Sequence, residues 1–146
     1  MRRVTFTSLA LFFLVLAAAE SAYACSCARN LKPLKAQVKD AYTSSTAIFS
    51  GEVISITPKS EHEIAVKLKV GKSWKGKLAE EITITTPINS AMCGYGFEAG
   101  KSYLVYAAGA NDELMTTLCS RTKLASDRQD IRFLDKLKRQ RVKSAK

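Results

Sequence analysis

The chain has 146 residues, 47% of them apolar, and its 23 Lys and Arg against 13 Asp and Glu give a formal net charge of +10. That length makes one domain with a real core, and the charge favours acidic partners such as anionic glycans or membrane surfaces. No apolar stretch reaches the roughly 20 residues that span a bilayer, and no basic and aromatic interleaving marks a single-strand nucleic-acid groove, so a transmembrane segment and nucleic-acid binding are not expected.

Arg2 and Arg3 open a positive n-region, Leu9 to Ala19 is an unbroken apolar run, and Ala22-Tyr23-Ala24 offers small residues at both positions a signal peptidase reads. Residues 1–24 are therefore expected to be a signal peptide. The mature chain would start at Cys25 and be secreted, periplasmic or extracellular. A lipid-modified Cys25 is the competing reading, but Tyr23 fits the lipoprotein box poorly. Cleavage leaves 122 residues, and loss of Arg2, Arg3 and Glu20 lowers the charge only to +9.

Leu31, Leu34, Val38, Ala41 and Tyr42 recur at helical spacing, which predicts a helix from about Pro33 to Thr43. Ala47 to Ile56 reads as a strand with a bulge or bend at Gly51, and Glu63 to Val70 as a second strand, with Ile64, Val66, Leu68 and Val70 on one face. Gly71 to Gly76 is expected to be a connection carrying Trp74. Glu81 to Thr86 forms a third strand, and Pro87 to Ser90 a loop leading into Cys93-Gly94-Tyr95-Gly96. Lys101 to Ala108 is a fourth strand, Gly109 to Asp112 a hairpin turn and Leu114 to Cys119 the last strand. Asp127 to Lys138 is a C-terminal helix, with Ile131, Leu134 and Leu137 at helical spacing. Five short strands and two helices suit a small closed or half-closed barrel better than a sandwich. Residues 25–135 would form this domain, and residues 136–146 a basic tail with six of its positive charges. A solvated tail that aids solubility is the simpler reading of that stretch, an anionic surface or glycan ligand the sharper one.

The four cysteines, Cys25, Cys27, Cys93 and Cys119, all fall after the expected cut, and an even number in a small exported domain implies two disulfides. Cys25 and Cys27 are too close to bridge each other without strain. That leaves two pairings, each tying the N-terminus to two distant segments. A loop of roughly 70 residues closed this way is worth about 4 kcal/mol. Four-cysteine zinc binding is disfavoured, because the spacing lacks paired C-x2-C knuckles.

Catalytic constellations are missing from the sequence. His62 is the one histidine and reads as a surface residue in a turn. No G-x-S-x-G elbow, P-loop, G-x-G-x-x-G or H-E-x-x-H is present, and Glu80 and Glu81 face opposite sides as strand neighbours. Neither an enzyme nor a cofactor of its own is expected. One group stands out. A free α-amine at Cys25 has a pKa of about 8 and makes, with its own carbonyl, a compact chelate. Pinned by a disulfide, that chelate could occupy the open position of another protein's catalytic zinc.

Cys25-Ser26-Cys27 at a mature N-terminus, Cys93-Gly94-Tyr95 and Cys119-Ser120 resemble the N-terminal inhibitory domain of the tissue inhibitors of metalloproteinases, a netrin-like module with an OB-type barrel. Ala47-Ile48-Phe49-Ser50-Gly51, Lys72-Ser73-Trp74-Lys75-Gly76 and Tyr103-Leu104-Val105 agree with it, and the likeness covers about residues 25–125. The resemblance implies disulfides Cys25–Cys93 and Cys27–Cys119. It implies that the amine and carbonyl of Cys25 cap the zinc of a target metalloprotease and that Ser26 enters the adjacent specificity pocket. Ala91 and Met92, before Cys93, would be held against the N-terminus by the Cys25–Cys93 bridge and widen the contact ridge formed by Cys25, Ser26, Cys27 and Cys93. The animal inhibitors carry a third disulfide, a further cysteine-rich domain and prolines where this chain has Ala28-Arg29-Asn30, so the chain looks like the short bacterial form. A non-inhibitory extracytoplasmic module that holds an anionic glycan, surface polymer or protein is the alternative function.

Overall fold

The structure, a computed structural model, describes residues 25–110 and 113–144. The expected signal peptide, residues 1–24, lies outside the described residues, as do Asn111 and Asp112 of the expected hairpin turn and the last two residues of the basic tail.

Helix α1 (Leu34–Ser44) begins directly after Pro33, whose fixed φ suits a helix start. Strand β1 (Ala47–Pro58) pairs antiparallel with β2 (Glu63–Lys75) on one edge and with β4 (Ser102–Ala110) on the other. β2 pairs with β3 (Glu81–Pro87), and β4 with the short β5 (Glu113–Met115). A parallel contact between β3 and β5 closes the ring: Thr85 faces Met115, and Thr116 N–H donates to the Thr85 carbonyl at 2.9 Å. The result is the expected closed five-stranded barrel, with a two-residue β6 (Lys123–Leu124) added outside β4 and helix α2 (Gln129–Ser144) following it.

β1 serves two neighbours, one along each edge. Its register against β2 shifts at Ser50/Gly51, and a Cβ on Gly51 would lie 2.9 Å from the Lys69 carbonyl oxygen. The irregularity expected at Gly51 is therefore present as a register shift, its extra residue standing opposite on β2, and only glycine admits this approach.

Alternation along the strands feeds two cores. Phe49, Val53, Val66, Leu68, Ile84 and Val105 fill the barrel. Ile48, Leu104 and Tyr106 point outward instead, where they meet Val38 and Tyr42 of α1, Leu134 of α2 and Trp74. This is why β4 has five consecutive buried residues, Tyr103 to Ala107: both of its faces are covered.

Three boundaries differ from the sequence expectation by more than two residues. Gly71 to Lys75 is strand rather than connection; Gly71 is the extra residue at a bulge between the Gly51–Val70 and Ser50–Lys72 pairs, and the strand resumes so that Trp74 packs under the helices. The strand expected from Leu114 to Cys119 stops at Met115. Beyond it the Thr116 hydroxyl bonds the Tyr106 carbonyl at 3.0 Å and the Thr122 hydroxyl at 2.7 Å, and Ser120 N–H turns back to the Thr117 carbonyl, so side-chain hydroxyls take over from the ladder. Finally, α2 runs on to Ser144, so residues 136–144 of the expected tail are helical and continuous with the rest of α2.

Candidate functional site

The segments holding the four cysteines meet at one end of the barrel. Cys25 bridges to Cys93 with Cα atoms 5.1 Å apart, and Cys27 to Cys119 at 5.2 Å. This is the pairing the resemblance implies, and it leaves no cysteine free. The bridges lie side by side, with the sulfurs of Cys25 and Cys119 at 3.9 Å. The irregular segment 25–32, which has no sheet partner, is thereby fixed at the barrel end.

The Cys93 anchor is built by local turn chemistry. Ser90–Met92 forms a single 3-10 turn. Asn89 caps it: its side-chain oxygen accepts the Met92 N–H at 3.0 Å, and its carbonyl accepts the Gly94 N–H at 2.8 Å. Cys93 then takes a left-handed conformation, φ 66°, at a cost of about 1 kcal/mol for a residue with a Cβ. Gly94 follows because nothing larger fits: a Cβ there would sit 2.0 Å from the Pro87 carbonyl oxygen. Tyr95 N–H is held by the Thr86 hydroxyl at 2.8 Å, and the Cys93 carbonyl accepts the Leu118 N–H at 2.8 Å.

On this frame the sequence-predicted residues come together. The Cys25 nitrogen donates to the Ala91 carbonyl at 3.1 Å, so residue 25 is tied to the 90–93 turn by main chain as well as by sulfur. Ser26, Cys27, Ala91 and Met92 are all exposed, and Cys25 and Cys93 are half-buried beneath them. Leu118, 43% exposed, is joined to this segment through its bond to Cys93, whose chain neighbour Met92 is likewise 43% exposed. Sequence reasoning misses Leu118, which it assigns to a strand. A large apolar residue next to an anchoring cysteine was the available signal.

A buried charge network stands behind Cys119. Arg121 donates from Nε to Asp130 Oδ2 at 2.7 Å and from Nη2 to Oδ1 at 2.8 Å, Lys123 Nζ reaches Oδ1 at 3.0 Å, and the Tyr106 hydroxyl donates to Oδ2 at 3.0 Å. Nη1 of Arg121 donates to Gln37 on α1 at 2.6 Å. Asp130 is fully buried. Burial alone would raise its carboxyl, but the hydrogen bonds from Arg121 and Lys123 outweigh that and hold it below the usual carboxylate range. Burial first, and then the Asp130 charge, push the Tyr106 phenol far above its ordinary value. The network joins α1, α2 and β4 to the segment that carries Cys119. Sequence reasoning did not find it, since an Asp in the first turn of a polar helix gives no sign of burial.

His62 is exposed in the β1–β2 turn, as expected. No family model matches the chain, and no curated protein matches it in sequence.

Proposed function

We propose that this chain, once cut before Cys25, is an exported inhibitor of zinc endopeptidases that caps the target's metal with the Cys25 amine and carbonyl. The observation that carries the reading is the double anchorage of residue 25, by the Cys93 bridge and the bond to the Ala91 carbonyl, beneath an exposed ridge.

A neutral α-amine has two N–H bonds and one lone pair. Donating one N–H to Ala91 fixes the rotation of the amine and leaves the lone pair and the second N–H for the target. Near neutral pH an amine with a pKa of about 8 releases its proton to solvent at small cost when a metal takes its lone pair. Rigidity matters because an open zinc position is a point target, and a chelate that must first be ordered forfeits affinity. Ser26 enters the pocket beside the zinc, while Met92, Ala91 and Leu118 supply apolar contact on either side. An uncut chain has an amide at residue 25, whose lone pair is delocalised into the carbonyl, so processing switches the activity on.

To test this, the exported protein is titrated against a panel of zinc endopeptidases beside a variant with one alanine inserted between Ala24 and Cys25. Inhibition by the native form and at least a hundredfold weakening in the extended form support the proposal. Equal potency, or no inhibition by a protein whose N-terminal residue is verified as Cys25, overturns it.

A further inference from the structure

We infer that the outer face of α2 is a binding site for a linear acidic polysaccharide, independent of the Cys25 ridge. Arg132, Lys136, Arg139 and Lys143 recur at intervals of four, three and four. At 3.6 residues per turn they fall within an arc of about 60°, with successive charges one turn apart. Arg128, whose carbonyl accepts the Arg132 N–H at 3.2 Å, continues the row by one more turn. The row is about 22 Å long from Arg128 to Lys143. All five residues are exposed, and none forms an ion pair among the described residues.

The opposite charges of α2 are used elsewhere. Asp130 is buried under Arg121 and Lys123. Asp135 pairs with Lys72 at 2.6 Å and accepts the Trp74 indole N–H at 2.6 Å. The remaining cations of the helix also turn toward the body: Lys138 donates to the Ser73 carbonyl at 2.7 Å, and the Arg141 guanidinium lies 4.7 Å from the centre of the Tyr42 ring. The helix thus sorts most of its charges, leaving a straight cationic row whose carboxylate neighbour on the helix, Asp135, is engaged by Lys72 and Trp74 and lies within electrostatic reach of Arg139.

Three observations choose the ligand. The apolar face of α2 is already committed, with Leu134 buried and Ile131, Phe133 and Leu137 packed on the second core, so among its described side chains no apolar face remains to enter a bilayer. None of the large exposed apolar residues is aromatic, so the described surface offers no platform on which bases could stack. The two disulfides suit an oxidising compartment, where acidic polysaccharides rather than nucleic acids are the abundant polyanions. A one-sided row of guanidinium and ammonium groups fits carboxylates or sulfates that recur along an extended chain.

The test measures binding of the full chain to heparin, as a sulfated probe, and to polygalacturonate, as a carboxylated one. Duplex DNA and vesicles containing phosphatidylglycerol are run alongside. Each cation near an anionic surface is worth about fivefold in affinity. The variant Arg132→Gln, Lys136→Gln, Arg139→Gln, Lys143→Gln should therefore bind at least one of the two polysaccharides at least about thirtyfold more weakly near 0.15 M salt. A charge-matched control, Arg29→Gln, Lys39→Gln, Lys69→Gln, Lys77→Gln, should change by less than about threefold, because its losses fall on separate segments of the chain. The single variant Lys136→Glu, on an exposed site, gives the same direction with minimal risk to folding. Equal losses in the two quadruple variants, binding that ignores salt, or tighter binding to DNA or vesicles than to both polysaccharides overturns the proposal.

Discussion

Replacing Asp130 with Asn keeps the shape of the side chain and removes its charge, which isolates what the buried network contributes. In the native protein the carboxylate receives two hydrogen bonds from Arg121, one from Lys123 and one from Tyr106, and it has no access to water. Removing one partner of a buried ion pair costs about 3–5 kcal/mol. Arg121 and Lys123 are 21% and 22% exposed, so both can turn partly to solvent, which lowers the expected loss to about 2–3 kcal/mol. Urea unfolding of the oxidised protein measures it. With a slope of about 1–2 kcal/mol/M for a domain of this size, the midpoint should fall by about 1–3 M with little change in slope. The effect also has a pH signature. Because the folded carboxyl is held below its unfolded value, its contribution is present above the unfolded pKa of about 3.9 and is lost as pH falls through the folded pKa. The gap between the native protein and the Asp130→Asn variant should therefore be full at about pH 6 and shrink below about pH 4. A midpoint change under about 0.3 M, or a gap that widens in acid, would refute the reasoning.

Gly94→Ala puts a methyl group against the Pro87 carbonyl, and the turn must move; a loss of about 2–3 kcal/mol in thermal or urea unfolding is expected, and a neutral result would contradict the geometry. Removing both Cys25 and Cys93 as serines should cost about 4 kcal/mol from the lost loop closure while far-UV circular dichroism keeps its β signature, since the barrel core is separate from the bridge. Leu134→Ala removes a fully buried contact between α2 and the barrel and should cost about 2–4 kcal/mol by the same unfolding assay. Met92→Asp should leave stability within about 0.5 kcal/mol, as the side chain is exposed, yet weaken protease inhibition at least tenfold; unchanged inhibition would remove Met92 from the contact surface.

The strands were legible where one face is buried and alternation is strict, as in Ile64, Val66 and Leu68. Alternation failed as a guide at Gly71, because a bulge and a strand end look alike in sequence and only the packing of Trp74 separates them. The end of the fifth strand was misplaced for a related reason: Thr116 and Thr117 favour strands by composition, but the Thr116 hydroxyl finds Tyr106 and Thr122, partners brought near only by the closed barrel. The helix end was set too early because apolar spacing fades after Leu137. The last turns are held instead by Lys138 on Ser73 and Arg141 over Tyr42, contacts that a hydrophobic pattern does not register. The cysteine arithmetic narrowed the bridges to two pairings and stopped there; the choice needed either a family likeness or the fold. Of the ridge, the residues beside Cys25, Cys27 and Cys93 were found, and Leu118, beside Cys119 and joined to the ridge through a main-chain bond to Cys93, was not.

The proposal that Cys25 caps a metal is tested most directly on the metal. A zinc endopeptidase that the exported protein inhibits is prepared with cobalt(II) in place of zinc, and its visible d–d spectrum is followed during titration. Direct coordination predicts a change in band position and intensity that saturates at one equivalent, given by the protein that starts at Cys25 and absent with the alanine-extended form. A spectrum that stays fixed while the native protein binds and inhibits would contradict the account, because inhibition would then come from the ridge alone.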